Sequence, residues 1–266
     1  MLKQQPDGIE SDPRKWLTLI HGEPGIGKTS FGAQIPGHYF TRAELGTKGL
    51  QTFGEPVSTW EEFVKICEAL DAGVKDGWKD QREVKCLVID TVEMLWAMCG
   101  VHVARTQQFM VKGTPTAFSD IKNVPFGLGY EATTTRLLKT LKEIQLLGIG
   151  ALLISHSNYR RFKWKGEEVV RAEPDFSPAQ VDNIMGACDA VGYLSSESEV
   201  KKVFKPDGSV EFTEHEDRRV QYWQPQFTRL AKHRLKGFPE TLELPIDRGY
   251  ETYLKAFEET IKKNQT

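Results

Sequence analysis

A glycine-rich segment near the start of the chain has the residue types and spacing of a phosphate-binding loop. It follows the apolar stretch at 16–20 and fits the pattern G-x-x-x-x-G-K-S/T through the residues Gly22, Glu23, Pro24, Gly25, Ile26, Gly27, Lys28, Thr29 and Ser30. Glycines let backbone N–H groups curl around phosphate oxygens, the lysine reaches the β and γ phosphates, and the threonine hydroxyl binds Mg²⁺. Because the segment lies between a predicted strand and a predicted helix, we predict a nucleoside triphosphate site; a chance glycine-rich turn is the alternative.

A second candidate ligand of the metal ion stands at the end of another apolar run. The sequence CLVIDT places Asp90 after four apolar residues, in a strand that we predict to be buried on both faces. A carboxylate at such a strand end helps to hold Mg²⁺ in phosphate-loop enzymes, so we predict that Thr29 and Asp90 share one ion. Without the glycine-rich loop, Asp90 would be an ordinary strand-end aspartate. The chain contains no N/T-K-x-D motif for reading guanine, and ATP is therefore the predicted nucleotide.

The elements that must position these residues alternate between strands and helices. Apolar runs predict strands at 16–20, 38–41, 84–91 and 150–156. Helices are predicted after the glycine-rich loop, from a capping box of Ser58 and Glu61 to about residue 73, and at 130–147. This alternation predicts an α/β fold with a doubly wound, mostly parallel sheet, and such sheets bind ligands at the carboxyl ends of their strands.

The pattern changes after residue 185. Short strands are predicted there, with a Pro-Asp-Gly turn at 206–208, and an amphipathic helix is predicted from about residue 250 to 263. The predicted organisation is therefore a flexible tail at 1–13, an ATPase domain at 14–248 with a C-terminal β extension, and a terminal helix at 249–266.

Composition limits the class of protein. The chain has 266 residues, 39% of them hydrophobic, and a formal net charge of -2. Nucleic-acid binding would therefore depend on a local basic patch. The cysteines form no CxxC pair, which favours reduced thiols in the core over disulfides or a zinc site. No apolar run approaches the length of a membrane span and no leader pattern is seen, so we expect a cytoplasmic protein with no membrane partner.

These motifs resemble those of the RecA-like ATPases, in particular the phage-encoded single-strand annealing ATPases described as AAA family ATPases. The resemblance covers roughly residues 16–248, although only short motifs carry it. It implies a RecA-like core that binds ATP and Mg²⁺ and acts on single-stranded DNA in recombination or replication, in the bacterial host cytoplasm. It also implies a ring or filament of several copies, with a single-strand binding protein as a further candidate partner.

Other functions remain open at this point. An ATP-gated protein that binds or anneals single-stranded DNA with little turnover would carry the same motifs. A helicase loader of the AAA+ type would need a helical lid domain after the core, and the sequence after residue 185 predicts one helix. A small-molecule kinase would need an arginine-bearing phosphate lid, and the segment VKKVFKPDGSVEF at 200–212 does not resemble one.

The resemblance further implies roles for residues near the predicted strand ends. Glu44 follows the second strand, where RecA-like proteins carry the glutamate that polarises the attacking water. His156 or Ser155, at the end of the fourth strand, would sense the γ phosphate. Lys232 and Arg234 would act as arginine fingers on a neighbouring subunit and, being two apart, would point the same way on a strand. The alternatives are solvated surface charge for Glu44, Lys232 and Arg234, and a structural role for His156.

A basic and aromatic segment follows His156 directly. Residues 158–171 include five basic, two acidic and three aromatic residues. In RecA-like proteins the loop at this point contacts single-stranded DNA, and this mixture combines phosphate attraction with base stacking. The resemblance therefore implies a DNA-binding set of Arg160, Arg161, Phe162, Lys163, Trp164 and Lys165. A β-hairpin with a charged outer face is the alternative.

Overall fold

The computed structural model describes residues 8–44, 48–79, 81–197, 200–205, 209–214 and 218–265. Its strands are β1 (Leu17–Gly22), β2 (His38–Arg42), β3 (Gly54–Pro56), β4 (Cys86–Asp90), β5 (Phe109–Val111), β6 (Thr114–Thr116), β7 (Gly150–Trp164), β8 (Glu167–Pro174), β9 (Ala190–Glu197), β10 (Val200–Phe204), β11 (Val210–Glu214), β12 (Arg218–Tyr222), β13 (Lys232–His233) and β14 (Thr241–Glu243). Its α-helices are α1 (Lys28–Ala33), α2 (Trp60–Asp76), α3 (Val92–Thr106), α4 (Leu128–Leu146), α5 (Pro178–Ala187) and α6 (Gly249–Gln265). Short 3-10 helices occupy Pro13–Lys15, Ile121–Asn123 and Pro125–Gly127.

One sheet of ten strands forms the centre of the fold. Its main path runs in the order β14-β12-β9-β1-β7-β4-β2-β3, with β13 paired to β9 and β8 to β7. The strands from β9 to β3 along this path are parallel, and β12 and β13 join β9 antiparallel. The mostly parallel α/β sheet is therefore confirmed.

The register of the central strands brings their carboxyl ends to one edge. Gly22 of β1 pairs with His156 of β7, and Asp90 of β4 pairs with Ile154 of β7. On the other side of β4, Asp90 pairs with Arg42 at the end of β2. The loops that follow β1, β2, β4 and the sheet portion of β7 consequently open onto the same edge.

Helices cover both faces of the sheet, and side-chain alternation along the strands assigns the core residues to the two faces. In β4, Leu87 and Ile89 join the core packed under α2, α3 and α4, whereas Val88 joins the core under α1 and α6. The C-terminal helix contributes Phe257, which is fully buried, to this second core. Helix α6 therefore packs on the same sheet that carries the phosphate loop.

Several predicted boundaries differ from the structure. Helix α2 starts one residue later than the predicted capping box: Thr59 is the N-cap and accepts from the N–H of Glu62, while the Glu62 carboxylate accepts from the N–H of Ser58. The helix continues past residue 73 and ends before Gly77, which adopts φ +71°. The predicted Pro-Asp-Gly turn at 206–208 lies outside the described residues, between the paired strands β10 and β11.

The largest difference concerns the segment after His156. Strand β7 does not stop there but continues to Trp164, and the chain then folds back as β8.

Among the described residues, no helix has the length and apolar character needed to cross a membrane.

Candidate nucleotide site

The segment between β1 and α1 folds as a tight loop that needs its glycines. Gly25 and Gly27 adopt φ values of +78° and +97°, in the left-handed region that disfavours other residues. Gly22 lies against the backbone of β9, where a Cβ atom would stand 2.4 Å from the carbonyl oxygen of Leu194. The glycine spacing in the sequence thus corresponds to backbone positions that side chains would block or strain.

Lys28 lies inside this loop with its ammonium group on carbonyl oxygens. Its residue is 6% exposed, and Nζ donates to the carbonyl oxygens of Gly22 and Glu23 at 2.8 Å each. Burial lowers the pKa of Lys28, and the nearby carboxylates of Asp90, Glu93 and Glu44 oppose this effect. A buried cation whose partners are neutral carbonyls is well suited to accept a phosphate anion as its counter-charge.

Thr29 and Asp90 form the predicted pair of oxygen ligands. The hydroxyl of Thr29 donates to Oδ2 of Asp90 at 2.8 Å, and Asp90 is 6% exposed. Burial raises the pKa of Asp90, and the hydrogen bond from Thr29 counteracts that rise. A hydroxyl and a carboxylate in contact fit Mg²⁺, a hard cation that prefers oxygen ligands.

Glu44 is held next to this pair by the backbone. The N–H groups of Ala43 and Glu44 donate to the carbonyl oxygen of Asp90 at 2.8 and 3.1 Å. The Glu44 carboxylate accepts from the hydroxyl of Thr91 at 3.3 Å.

These residues surround one cavity of about 420 Å³, which is lined by Pro24, Gly25, Gly27, Lys28, Thr29, Ser30, Glu44, Gly49, Leu50, Asp90, Thr91 and His156.

His156 and Ser155 have different positions, which separates the two candidates for sensing phosphate. His156 lines the cavity, and its ring is 2.7 Å from the carboxylate of Glu93. Ser155 is fully buried and points away: its hydroxyl donates to the carbonyl of His156 and accepts from the N–H of Asp175. Of these two residues, only His156 faces the phosphate loop.

Two residues at the site carried no signal in the sequence. Glu93 of α3 holds His156. Arg219 of β12 is 8% exposed and lies behind the loop, where Nη1 approaches the carbonyl oxygens of Ile26 and Gly27 at 3.5 and 3.4 Å. Its other donors bind the carbonyls of Leu244 and Pro245. A single arginine 192 residues from Gly27 in sequence has no local pattern that connects it to a phosphate loop.

Lys232 and Arg234 are not part of this cavity. Both side chains do point the same way, as predicted, but they turn to the end of α5. Nζ of Lys232 donates to the carbonyls of Met185 and Cys188 at 2.9 and 2.7 Å. Arg234 forms an ion pair with Asp189 at 2.7 Å. Because Asp189 also accepts from the N–H of Leu17, this cluster lies at the amino end of β1, opposite the phosphate loop.

The segment predicted to bind DNA is a β-hairpin. Trp164 pairs with Glu167 across a two-residue turn in which Lys165 and Gly166 have φ values of +50° and +90°. Positive φ at both positions is the geometry that short hairpin turns favour. Lys163, Trp164 and Lys165 are exposed around this tip.

An aromatic group lies on one face of the hairpin. Phe162 and Trp164 contact Phe227 edge to face, with ring centroids 5.7 and 5.3 Å apart. Trp164 and Phe227 remain 53% and 47% exposed, and the guanidinium of Arg171 lies 5.1 Å from the ring of Phe162. Exposed rings next to a basic tip form a surface on which nucleobases can stack.

The two arginines of the hairpin differ in their environment. Arg160 forms an ion pair at 2.7 Å with Glu173, whose side chain is 3% exposed. Arg161 lies 3.6 Å from Glu168, and both of these side chains are more than half exposed. Arg160 is therefore committed within the fold, whereas Arg161 is accessible to a ligand.

The base of the hairpin contacts the phosphate loop directly. The hydroxyl of Tyr159 donates to the carboxylate of Glu23 at 2.7 Å and lies 3.4 Å from the hydroxyl of Tyr193. Burial and these partners raise the pKa of Tyr159, so the hydroxyl keeps its proton.

The chain matches one family model, described as an AAA domain, over residues 14–235. The match begins just before β1, ends after β13 and includes the phosphate loop, Glu44, Asp90 and His156. A comparison with curated proteins gives no match.

Proposed function

Because the chain belongs to the AAA-domain family of P-loop ATPases, we propose that it is a magnesium-dependent, RecA-like ATPase that acts on single-stranded DNA in recombination or replication. One observation carries the ATPase part of this proposal. Lys28, Thr29, Asp90, Glu44 and His156, from four separate segments of the chain, line one cavity at the carboxyl edge of the parallel sheet. Each of them has the chemical character that phosphoryl transfer to water requires.

The residues divide the work by charge and position. Lys28 leaves the loop carbonyls to neutralise the β and γ phosphates, and the backbone N–H groups around Gly25 and Gly27 receive phosphate oxygens. Thr29 and Asp90 would hold Mg²⁺, and the bound ion would supply positive charge against the phosphate oxygens. Glu44, fixed by the carbonyl of Asp90, orients the attacking water and takes its proton.

The hairpin supports the DNA part of the proposal. Its tip is basic, its aromatic face is exposed and its base touches the phosphate loop through Tyr159 and Glu23. Single-strand binding combines such phosphate attraction with sequence-tolerant stacking. The chain as a whole carries a net charge of -2, so the interaction must be local to this basic tip.

Turnover with and without DNA tests the proposal. We expect Mg²⁺-dependent ATP hydrolysis that single-stranded DNA stimulates severalfold, and a particle larger than one chain when ATP and DNA are present. Turnover that DNA leaves unchanged, combined with ATP-dependent DNA binding, would favour an ATP-gated binding protein. Absence of ATP hydrolysis would overturn the proposed ATPase.

Salt dependence of DNA binding tests the hairpin. Replacing Lys163 and Lys165 with alanine should reduce the slope of log affinity against log salt by about 0.7 per lost phosphate contact. Trp164→Ala should weaken binding by about 1 to 3 kcal/mol with little change in slope, because stacking releases no counterions. A variant with Lys255 and Lys262 of α6 replaced by alanine removes the same charge and is the matched control. Equal binding by all of these proteins would remove the hairpin from the proposal.

A helicase loader fits the structure less well. That function would need a helical lid domain after the core. In the part of the chain that the structure describes, α6 is the one α-helix after α5, and it packs on the central sheet.

A further inference from the structure

His156 is held at two points by one carboxylate oxygen. Oε1 of Glu93 accepts from the backbone N–H of His156 at 3.0 Å and is 2.7 Å from ring atom Nδ1. Glu93 lies in the first turn of α3, three residues after Asp90, so the same segment carries the proposed metal ligand and the partner of His156. The side chains of Glu93 and His156 are 14% and 30% exposed, which leaves them little freedom to reorient.

This arrangement determines which ring nitrogen faces the nucleotide. An ionised Glu93 can only accept, so Nδ1 carries a hydrogen when Glu93 is a carboxylate, and Nε2 is the nitrogen left for another partner. His156 lines the cavity together with Lys28, Thr29 and Glu44. A carboxylate on one side of an imidazole stabilises the doubly protonated imidazolium form, which can then donate to an anion on the other side.

A second oxygen of the same carboxylate has no visible use in the fold. Oε2 of Glu93 is buried and has no hydrogen-bond partner among the described residues. Burial raises the pKa of Glu93, and the hydrogen bonds from the backbone N–H and the ring of His156 oppose that rise. A neutral side chain would hold the two elements together at lower cost in desolvation. The charge itself is therefore the feature that needs an explanation.

We propose that Glu93 is a positioning residue for ATP hydrolysis, which orients His156 so that its imidazolium form, with Nδ1–H on Glu93, donates a hydrogen bond from Nε2 to the terminal phosphate of ATP. This inference rests on the proposed ATPase function. It assigns no bond-making step to Glu93, which acts only through His156. Removing the charge should impair turnover of ATP while leaving the affinity for ADP, which lacks the terminal phosphate, unchanged.

A double-mutant cycle separates this role from a structural one. In the wild-type background, Glu93→Gln should lower kcat for ATP by about 10- to 100-fold, the loss that is typical when the carboxylate partner of a metal-binding histidine is removed. In a His156→Ala background, the same substitution should change kcat by less than about twofold, because the residue through which it acts is gone. Glu93→Asp, which keeps the charge, should recover part of the loss. ADP affinity, measured by calorimetry, should stay within about twofold in every variant.

Several outcomes would overturn the inference. Additive effects of the two substitutions on kcat, or equal losses of ADP and ATP affinity, would show that Glu93 merely ties α3 to β7. If Glu93→Gln does not fold, as judged by its thermal transition, Glu93→Asp in both backgrounds provides the cycle, and additivity there is equally decisive. A wild-type protein without hydrolysis would instead remove the proposed function. The ratio of ATP affinity to ADP affinity in the wild type, Glu93→Gln, His156→Ala and the double variant would then decide the role of Glu93.

Discussion

Arg160 is predicted to stabilise the fold, although its sequence context suggests a DNA contact. Its guanidinium lies 2.7 Å from Oε2 of Glu173, and Nε of Arg171 lies 2.7 Å from the other carboxylate oxygen. The Glu173 side chain is 3% exposed, while the two arginines are about one-third exposed. Two cations therefore compensate one buried anion at the base of the hairpin.

The cost of Arg160→Ala follows from this geometry. Removing one partner of a buried ion pair typically costs about 3 to 5 kcal/mol because a buried charge is left uncompensated. Arg171 remains in contact with Glu173, so we expect a loss of about 2 to 3 kcal/mol in the free energy of unfolding. Arg161→Ala is the matched control: its pair with Glu168 is exposed and longer, at 3.6 Å, and such surface pairs contribute about 0 to 1 kcal/mol.

Urea unfolding, followed by circular dichroism, measures both variants. Adding Glu173→Gln to Arg160→Ala should recover part of the loss, because it removes a buried charge that Arg171 alone then compensates. Equal effects of Arg160→Ala and Arg161→Ala, or no recovery in the double variant, would refute this reasoning. If it holds, weaker DNA binding by Arg160→Ala cannot be assigned to a lost phosphate contact without first measuring the folded fraction.

Three further predictions concern the nucleotide site and its support. Glu44→Gln should bind ATP normally in calorimetry but hydrolyse it about 10² to 10⁴ times more slowly, because a positioned base is lost; wild-type turnover would assign the water to another carboxylate. Asp90→Asn should raise the Mg²⁺ concentration needed for half-maximal hydrolysis, because an amide is a poorer ligand for a hard cation; an unchanged Mg²⁺ titration would exclude Asp90 as a ligand. Burial lowers the pKa of His21 to about 4, so as pH falls from about 6.5 towards 4 the unfolded chain takes up a proton that the folded protein excludes. The free energy of unfolding should therefore decline by up to about 1.4 kcal/mol per pH unit in that window, and His21→Gln should flatten the decline; an identical pH profile would contradict the assignment.

Local signals account for the parts of the site that the sequence predicts. The phosphate loop is contiguous, and its glycines, Lys28 and Thr29 serve the positions that their spacing indicates. Asp90 ends an apolar run whose burial on both faces is visible as unbroken hydrophobicity. Where the chemistry lies within one segment or at the end of one strand, sequence patterns are sufficient.

Contacts between distant segments account for what the sequence misses. Arg219 supports the phosphate loop from β12, and Glu93 acts on His156 from 63 residues away. Lys232 and Arg234 have the alternation of a strand, but only the structure shows that their partners are the end of α5 and Asp189. The sequence left a hairpin as the alternative to a DNA-contacting loop, because a basic, aromatic segment has the same composition whether it is a loop or two paired strands.

The continuity of β7 connects the nucleotide cavity to the surface that is proposed to bind DNA. One strand carries His156 at the nucleotide cavity, Tyr159 on the phosphate loop and Trp164 at the hairpin tip. Eight residues of extended chain separate His156 from Trp164, about 26 Å at the usual rise of a β-strand. Strand β8 pairs with β7 from Ser157 to Trp164, so the hairpin is one paired unit that begins beside the nucleotide cavity. If ATP changes the affinity for DNA through this strand, DNA must change the affinity for ATP by the same factor, since both are one coupling free energy.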